Sequence, residues 1–467
     1  MQKNLIDLLT AIVGNDAVLA GEPAAPYCTD WRGRYSGDAL AVVFPSSTGQ
    51  VAEVVRLCAA SQIAIVPQGG NTSLCGASVP LAQGEQIVLN LSRMNRIRDI
   101  DPENYTMTVE AGCKLADVRG AAENSNRFFP LGLTATQKFC EIGGNLSTNA
   151  GGINVLRYGN ARDLVLGLEV VLPDGRVWNG LRSLRKDNSG YDLKHLFMGA
   201  EGTLGIITAA VLKLFPRPQT EATACVAVRD PAVAVALLAH LRANCGDRIS
   251  AFEIISRSSL DLVFRHIPET REPFTDKHGW IVITQLADVL SAPLDGALRE
   301  ALRSFGAGIA ELAITSDSDH AEQWWKLRKN ISEAQKREGL SIKHDVSVPV
   351  SRIAEFISRA DTGLQQAFPG IRIVAFGHMG DGNIHYNISM LDATQNQEFI
   401  LLQETAVNHR VYAVVRELNG SISAEHGVGQ LKRAILREHK DPLELELMRT
   451  IKQALDPHGL MNPGKVL

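Results

Sequence analysis

An α+β chain is what this sequence predicts, and three observations carry the prediction. Up to Pro218, short apolar runs alternate with glycine-rich turns, the mark of strands joined by tight connections. Beyond Pro218 longer helical stretches interleave with strand-like ones, which suggests antiparallel strands covered by helices. Finally, 467 residues are too many for one ordinary core. The expected division is a first domain over 1–217, a second over 218–420 and a mostly helical C-terminal segment over 421–467.

The elements follow in order. MQKNLIDLLTAIVGNDAVLA, with Asp7 and Asp16, reads as an amphipathic helix rather than a targeting peptide. Helical spacing returns at Val51, Val54, Val55 and Cys58, with Ser47 or Thr48 as N-cap, and IAIVP follows as a buried strand. QIVLNL, TMTVEAG, VLGLEVVLPDG and GIITAAVLKLFPRP are further strands, with Asp174-Gly175 a hairpin-type turn. In the second half PAVAVALLAHLRANCG, PLDGALREALRSFG and the span 317–338 are helical. ACVAVR, GWIVITQLA, LSIKHDVSVPV and IRIVAF are strand-like.

Composition narrows the partners. A formal charge of −4 without a basic block gives nothing for nucleic acid to bind, and no apolar run approaches a membrane span. Cys28, Cys58, Cys75, Cys113, Cys140, Cys225 and Cys245 are odd in number and lack CxxC spacing, so reduced thiols in a cytoplasmic protein are expected.

Two stretches point to chemistry. FGHMGDGNIHYN, from Phe376 to Asn387, and SAEHGVG supply His378, His385, Glu425 and His426. Two imidazoles and a carboxylate hold a divalent cation and leave a coordination position open, as catalytic sites do. Zinc suits that donor set; manganese, iron and cobalt remain open. The run from Arg372 to Phe376 is a short strand, the glycines at 377, 380 and 382 make a turn, and the next strand puts Ile384, Tyr386 and Ile388 on one face and His385 and Asn387 on the other. Singly, each histidine reads as a turn or core residue; the second glycine-flanked stretch makes the set a site.

PQGGNTSLCGA and IGGNLSTNAGG each follow strand-like sequence. Glycines let backbone N–H groups approach an anion closely, so a diphosphate is a natural guest. Neither stretch contains GK[ST] or GxGxxG, which argues against Walker and Rossmann sites. Together, and with LRYGNARDLVLGLEVVLPDGRV and LRKDNSGYDLKHLFMGAEGTLGIIT, they resemble the flavoproteins related to vanillyl-alcohol oxidase and p-cresol methylhydroxylase. The metal motif, SAEHGVG and the terminal MNPGK resemble the D-2-hydroxyacid dehydrogenase branch of that family, and PQGGNT, RKDNSGYDLK and SAEHGVG are closest to its D-2-hydroxyglutarate members. The resemblance runs from about Ala39 to the end.

That resemblance implies a two-part FAD-binding domain over 1–217, an α+β cap domain with an antiparallel sheet that binds substrate and metal over 218–420, and a C-terminal segment that returns to the flavin. Pro67, Gly69, Gly70, Asn71, Thr72 and Gly76 would hold the FAD diphosphate. Gly143, Gly144, Asn145, Thr148, Asn149, Gly152, Gly202, Gly205 and Ile207 would line the flavin, joined by Asn462. Some relatives attach FAD through a histidine directly after the paired glycines; Asn71 stands there, so a non-covalent flavin is expected.

The implied reaction oxidises a D-2-hydroxy acid. Hydride passes to the flavin, a divalent metal on His378, His385 and Glu425 polarises the hydroxyl, and His426 takes its proton. Asn387 orients the C1 end, and Arg328, Ser332 and Lys343 bind a distal carboxylate. Arg328 and Ser332, four apart, share a helix face, while Lys343 faces away from the apolar side of its strand. Ser332 departs from the threonine usual there, which keeps D-malate and D-lactate beside D-2-hydroxyglutarate as substrates. The expected acceptor is electron-transfer flavoprotein or a quinone, and relatives suggest a homodimer. A flavin-binding subunit without turnover and a metal-dependent hydrolase are the rival readings.

Overall fold

The helix expected after Ser47 forms over Thr48–Ala60, where the Ser47 hydroxyl accepts the Gln50 N–H at 3.3 Å. Its buried stripe, Val51, Ala52, Val54, Val55 and Cys58, belongs to a core shared with Ile65, Ile87 and Leu89. Those residues lie on Ala64–Gln68 and Gln86–Asn90, which pair in parallel; Val42–Val43 adds a parallel neighbour and Val18–Leu19 an antiparallel edge. All five residues of Gln86–Asn90 are buried, as a parallel strand covered on both faces requires.

The computed structural model describes residues 2–133, 136–306 and 308–467. The chain falls into two units: Met1–Gly151, Asn160–Arg217 and Glu425–Leu467 in the first, Gly152–Gly159 and Pro218–Ala424 in the second. The first also holds a five-stranded antiparallel sheet in the order Ile97–Asp101, Thr106–Glu110, Ile206–Lys213, Val165–Val171, Val177–Gly180. Its last two strands turn at Asp174-Gly175, where Gly175 takes φ +80°.

The second unit is built on seven antiparallel strands. Their order is Ile309–Thr315, Thr220–Val228, Trp280–Asp288, Ile249–Ser256, Ile371–Gly377, Asn383–Met390, Ile342–Ser347. Helices Arg257–His266, Ser318–Lys329 and Ile331–Glu338 supply Leu260, Trp324, Trp325, Leu327, Ile331 and Ala334 to a core with Ala251, Ile255, Val374 and Phe376. The span 317–338 is therefore two helices, not one. Asn330 ends the first at φ −99° and ψ 4°, and its side-chain amide donates to the Lys326 carbonyl at 2.8 Å, competing with the backbone ladder. Among the described residues no helix is long and apolar enough to cross a membrane.

Candidate active site

In the first unit, five distant stretches of sequence converge. Pro67, next to last in the Ala64–Gln68 strand, lies beside Gly202, whose φ is +73° and where a Cβ would lie 3.0 Å from Pro67 Cγ. At Gly70 a Cβ would sit 1.9 Å from the Phe139 carbonyl oxygen, and at Gly69 3.2 Å from Glu141 Oε2. Asn71 takes φ +51°, with its amide donating to the Thr29 carbonyl at 2.8 Å and its oxygen accepting the Ser78 hydroxyl at 2.7 Å. The tail enters this group through Asn462. Its backbone N–H donates to the Ile65 carbonyl, and its side chain donates to the carbonyls of Ala77 at 2.9 Å and Glu201 at 2.6 Å.

SAEHGVG is pinned to the same place. The buried Glu201 carboxylate accepts the Val428 N–H at 2.6 Å and the Gly429 N–H at 2.8 Å. Burial raises the Glu201 carboxyl, and those two N–H groups with Lys432 oppose the rise. The Gln430 side chain donates to the Gly76 carbonyl at 2.9 Å, and Glu425 lies against Gly151, where a Cβ would be 2.7 Å from its Oε1. Glu425 and His426 thus share a unit with all the expected flavin residues except Gly152, which falls in the second.

The second unit carries His378, His385, Arg328, Ser332, Lys343 and Asn387. Strand register aligns Phe376 and Asp345 with His385, and Lys343 with Asn387, so these side chains share one sheet face. The His378 and His385 rings lie 5.9 Å apart between centroids. His378 Nδ1 is 2.5 Å from Glu253 Oε1, and since a carboxylate only accepts, Nδ1 carries a proton and Nε2 would be the nitrogen for a metal. His385 Nδ1 lies 3.7 Å from Asp345 Oδ1. Arg328 Nε donates to the other oxygen of Glu253 at 2.5 Å, and its guanidinium stacks 4.9 Å over Phe376, whose ring is 4.9 Å from that of His385. Burial by itself raises the Glu253 carboxyl, but Arg328 and His378 overcome it and hold it at about 2.

Two of the expected substrate residues sit differently from the others. Ser332 is exposed on Ile331–Glu338, past the Asn330 break. Asn387 is buried; its amide donates to Gln335 Oε1 at 2.9 Å and its oxygen accepts the His344 N–H at 3.2 Å, so it braces the sheet. Ala424, the last residue of the second unit, donates its N–H to the Asp345 carbonyl at 3.2 Å, and Glu425 and His426 are the next two residues in the chain.

Residues 39–180 match the FAD binding domain family, and residues 217–466 match the C-terminal domain of FAD linked oxidases. This chain belongs to the FAD-linked oxidase family. D-2-Hydroxyglutarate dehydrogenase of Xanthomonas citri pv. viticola is 38% identical over 451 residues, covering 96% of this chain and 94% of its own. The mitochondrial D-2-hydroxyglutarate dehydrogenase of Arabidopsis thaliana is 36% identical over 94% of this chain and 77% of its own. A D-2-hydroxyglutarate--pyruvate transhydrogenase of Saccharomyces cerevisiae is 33% identical over 98% and 93%. The solved structure of p-cresol methylhydroxylase with substrate bound superposes with a TM-score of 0.79 at 20% identity, over 99% of this chain and 96% of that one, which establishes the fold. The expected α+β flavoprotein architecture is the one found, and the chain is an FAD-linked oxidoreductase.

The first unit fits FAD on its own geometry. Asn462 Oδ1 is fully buried yet has no hydrogen-bond partner among the described residues, so it is an acceptor placed for a ligand donor. Glu141 Oε2, beside Gly69, is likewise buried without a partner, and burial pushes that carboxyl up to about 8 against the pull of Lys114. In the second unit the donor set of His378 and His385, one of them braced by a carboxylate, fits a divalent metal.

Sequence reasoning missed Glu253, Glu201, Glu141 and Asp345. For Glu253 a signal existed: a lone acid inside the apolar run SAFEIIS is unusual unless paired.

Proposed function

We propose that this enzyme oxidises a D-2-hydroxy acid with a second carboxylate, D-2-hydroxyglutarate above all, to the 2-oxo acid. The observation that carries the proposal is Arg328. Its Nε is bound to Glu253, while Nη2 is buried without a hydrogen-bond partner among the described residues. A buried guanidinium donor left over after its structural bond suits a substrate carboxylate. The names of the relatives support the same substrate.

FAD would be held by Pro67, Gly69, Gly70, Asn71, Thr72, Gly76, Gly143, Gly144, Asn145, Thr148, Asn149, Gly152, Gly202, Gly205, Ile207 and Asn462. When bound, that flavin would supply the hydride acceptor for C2. His378, His385 and Glu425 would hold a divalent metal, zinc by donor chemistry, which would supply Lewis-acid polarisation of the substrate hydroxyl. His426 takes the hydroxyl proton, Asn387 steadies the wall behind the C1 end, and Arg328 and Lys343 bind the distal carboxylate. The acceptor is electron-transfer flavoprotein or a quinone; the yeast relative's name adds pyruvate as a third. A cytoplasmic setting and a homodimer complete the reading.

Anaerobic D-2-hydroxyglutarate is expected to bleach the flavin, with the L enantiomer inert. In Lys343→Ala, kcat/KM for D-2-hydroxyglutarate should fall about one to two orders of magnitude, since a charge-assisted hydrogen bond contributes roughly 1.5–3 kcal/mol. D-Lactate lacks the distal carboxylate and should lose far less. Equal losses on both would move the assignment to D-lactate.

The FAD is bound without a covalent link. Asn71 stands at the attachment position, and its amide is already committed to Thr29 and Ser78. Acid precipitation should leave the yellow colour in the supernatant; a yellow washed pellet would refute the point.

A further inference from the structure

We infer that Glu253 is a positioning residue that sets the tautomer of His378 and the placement of Arg328 through one carboxylate. The inference rests on the proposed function and adds a residue to it. Glu253 is fully buried on the Ile249–Ser256 strand, all eight of whose residues are buried. One oxygen accepts the His378 Nδ1–H at 2.5 Å and the other accepts the Arg328 Nε–H at 2.5 Å. The same guanidinium stacks on Phe376, which packs on His385. Stability alone does not account for such an arrangement. Exchanging a buried ion pair for apolar residues of similar volume is often neutral or stabilising, because the desolvation cost disappears with the charges. What apolar residues cannot do is hold the proton on Nδ1 and leave the Nε2 lone pair for a metal.

Glutamine has the same shape but only one acceptor oxygen, so it cannot serve both partners. In Glu253→Gln the guanidinium, a permanently charged donor, claims that oxygen. The amide N–H₂ is then turned to His378, donates to Nδ1 and drives the ring proton onto Nε2, where it blocks metal binding. Removing the competitor should reverse this. In Glu253→Gln/Arg328→Met the oxygen returns to His378 and the ring regains its metal-binding tautomer. A structural role gives no reason for a second substitution to restore metal affinity.

The test is calorimetric titration of Zn²⁺ into chelator-stripped, FAD-loaded protein. Glu253→Gln is expected to weaken zinc binding about 10–100-fold while keeping its flavin, and Glu253→Gln/Arg328→Met to recover about tenfold of that loss. Should the single variant fail to fold, Glu253→Leu/Arg328→Met serves as reference, since it removes the position-253 acceptor from His378. It should bind zinc at least about tenfold more weakly than Glu253→Gln/Arg328→Met. Wild-type affinity in Glu253→Gln, or equal affinities in the two double variants, would overturn the inference and leave the proposed function standing. Wild-type protein that binds no divalent metal would overturn the metal reading and this inference with it.

Discussion

Glu425→Gln is expected to stay yellow, lose its divalent metal and oxidise D-2-hydroxy acids at least about two orders of magnitude more slowly, because charge on a ligand oxygen is what holds and tunes a Lewis-acid metal. Glutamine keeps the volume that lies against Gly151, so the first unit should fold as before. Gly70 meets Phe139, Gly202 meets Pro67 and Asn462 meets Ala77 and Glu201, which is why flavin and metal should part company in this variant. Metal analysis, flavin absorbance and turnover decide it together. Undiminished turnover in protein shown to be metal-free would remove the metal from the reaction altogether.

Gly70→Ala should have the opposite signature, losing flavin first. A Cβ there would fall 1.9 Å from the Phe139 carbonyl oxygen, and the obstructing atom is backbone rather than the tip of a movable side chain. The adjoining backbone is itself tied down, with the Leu115 N–H donating to the Cys140 carbonyl and the Ile142 N–H to the Cys113 carbonyl. Relief requires the PQGGNT loop and the 139–142 segment to separate, at an overpacking cost of about 1–3 kcal/mol. The loop N–H groups would then be displaced from where they are proposed to meet the diphosphate. The purified variant should be colourless or nearly so, with a lowered Tm that added FAD restores poorly. Gly120→Ala is the control, since Gly120 lies inside the Leu115–Asn124 helix with nothing within 4 Å of its Cβ position. It should keep full flavin and match or exceed the wild-type Tm, because alanine loses less chain entropy than glycine on entering a helix. Stoichiometric flavin in Gly70→Ala would show that the loop yields and that the close approach is not needed.

Local patterns were legible wherever a residue's role depends on its neighbours in sequence. The Ser47 cap, the buried stripe of Thr48–Ala60, the Gly175 turn and the alternation of Asn383–Met390 follow from capping, spacing and glycine geometry. They were less legible where a side chain competes with the backbone: the break at Asn330 turns on one amide bonding the Lys326 carbonyl, and it separates Ser332 from the helix of Arg328. Helices Ile353–Ala367 and Asn396–Glu417 went unannounced, as did the Ile249–Ser256 strand, all of it apolar save for Glu253 and a few small polar residues.

The sequence by itself determined the chemistry on offer. Paired glycine-rich stretches, two histidines on a strand and its turn, and SAEHGVG are local arrangements whose donor types and spacing suit an anion cradle and raise the metal reading. Only the tertiary structure decided which buried charges hold those groups in place. Glu253 meets Arg328 and His378 from 75 and 125 residues away, and Glu201 meets Val428 and Gly429 from 227 and 228 residues away. No periodicity reaches across such distances. A carboxylate in a buried strand is tolerable only where folding brings its partners to it, and the identity of those partners is a property of the sheet order and not of the run of residues around it.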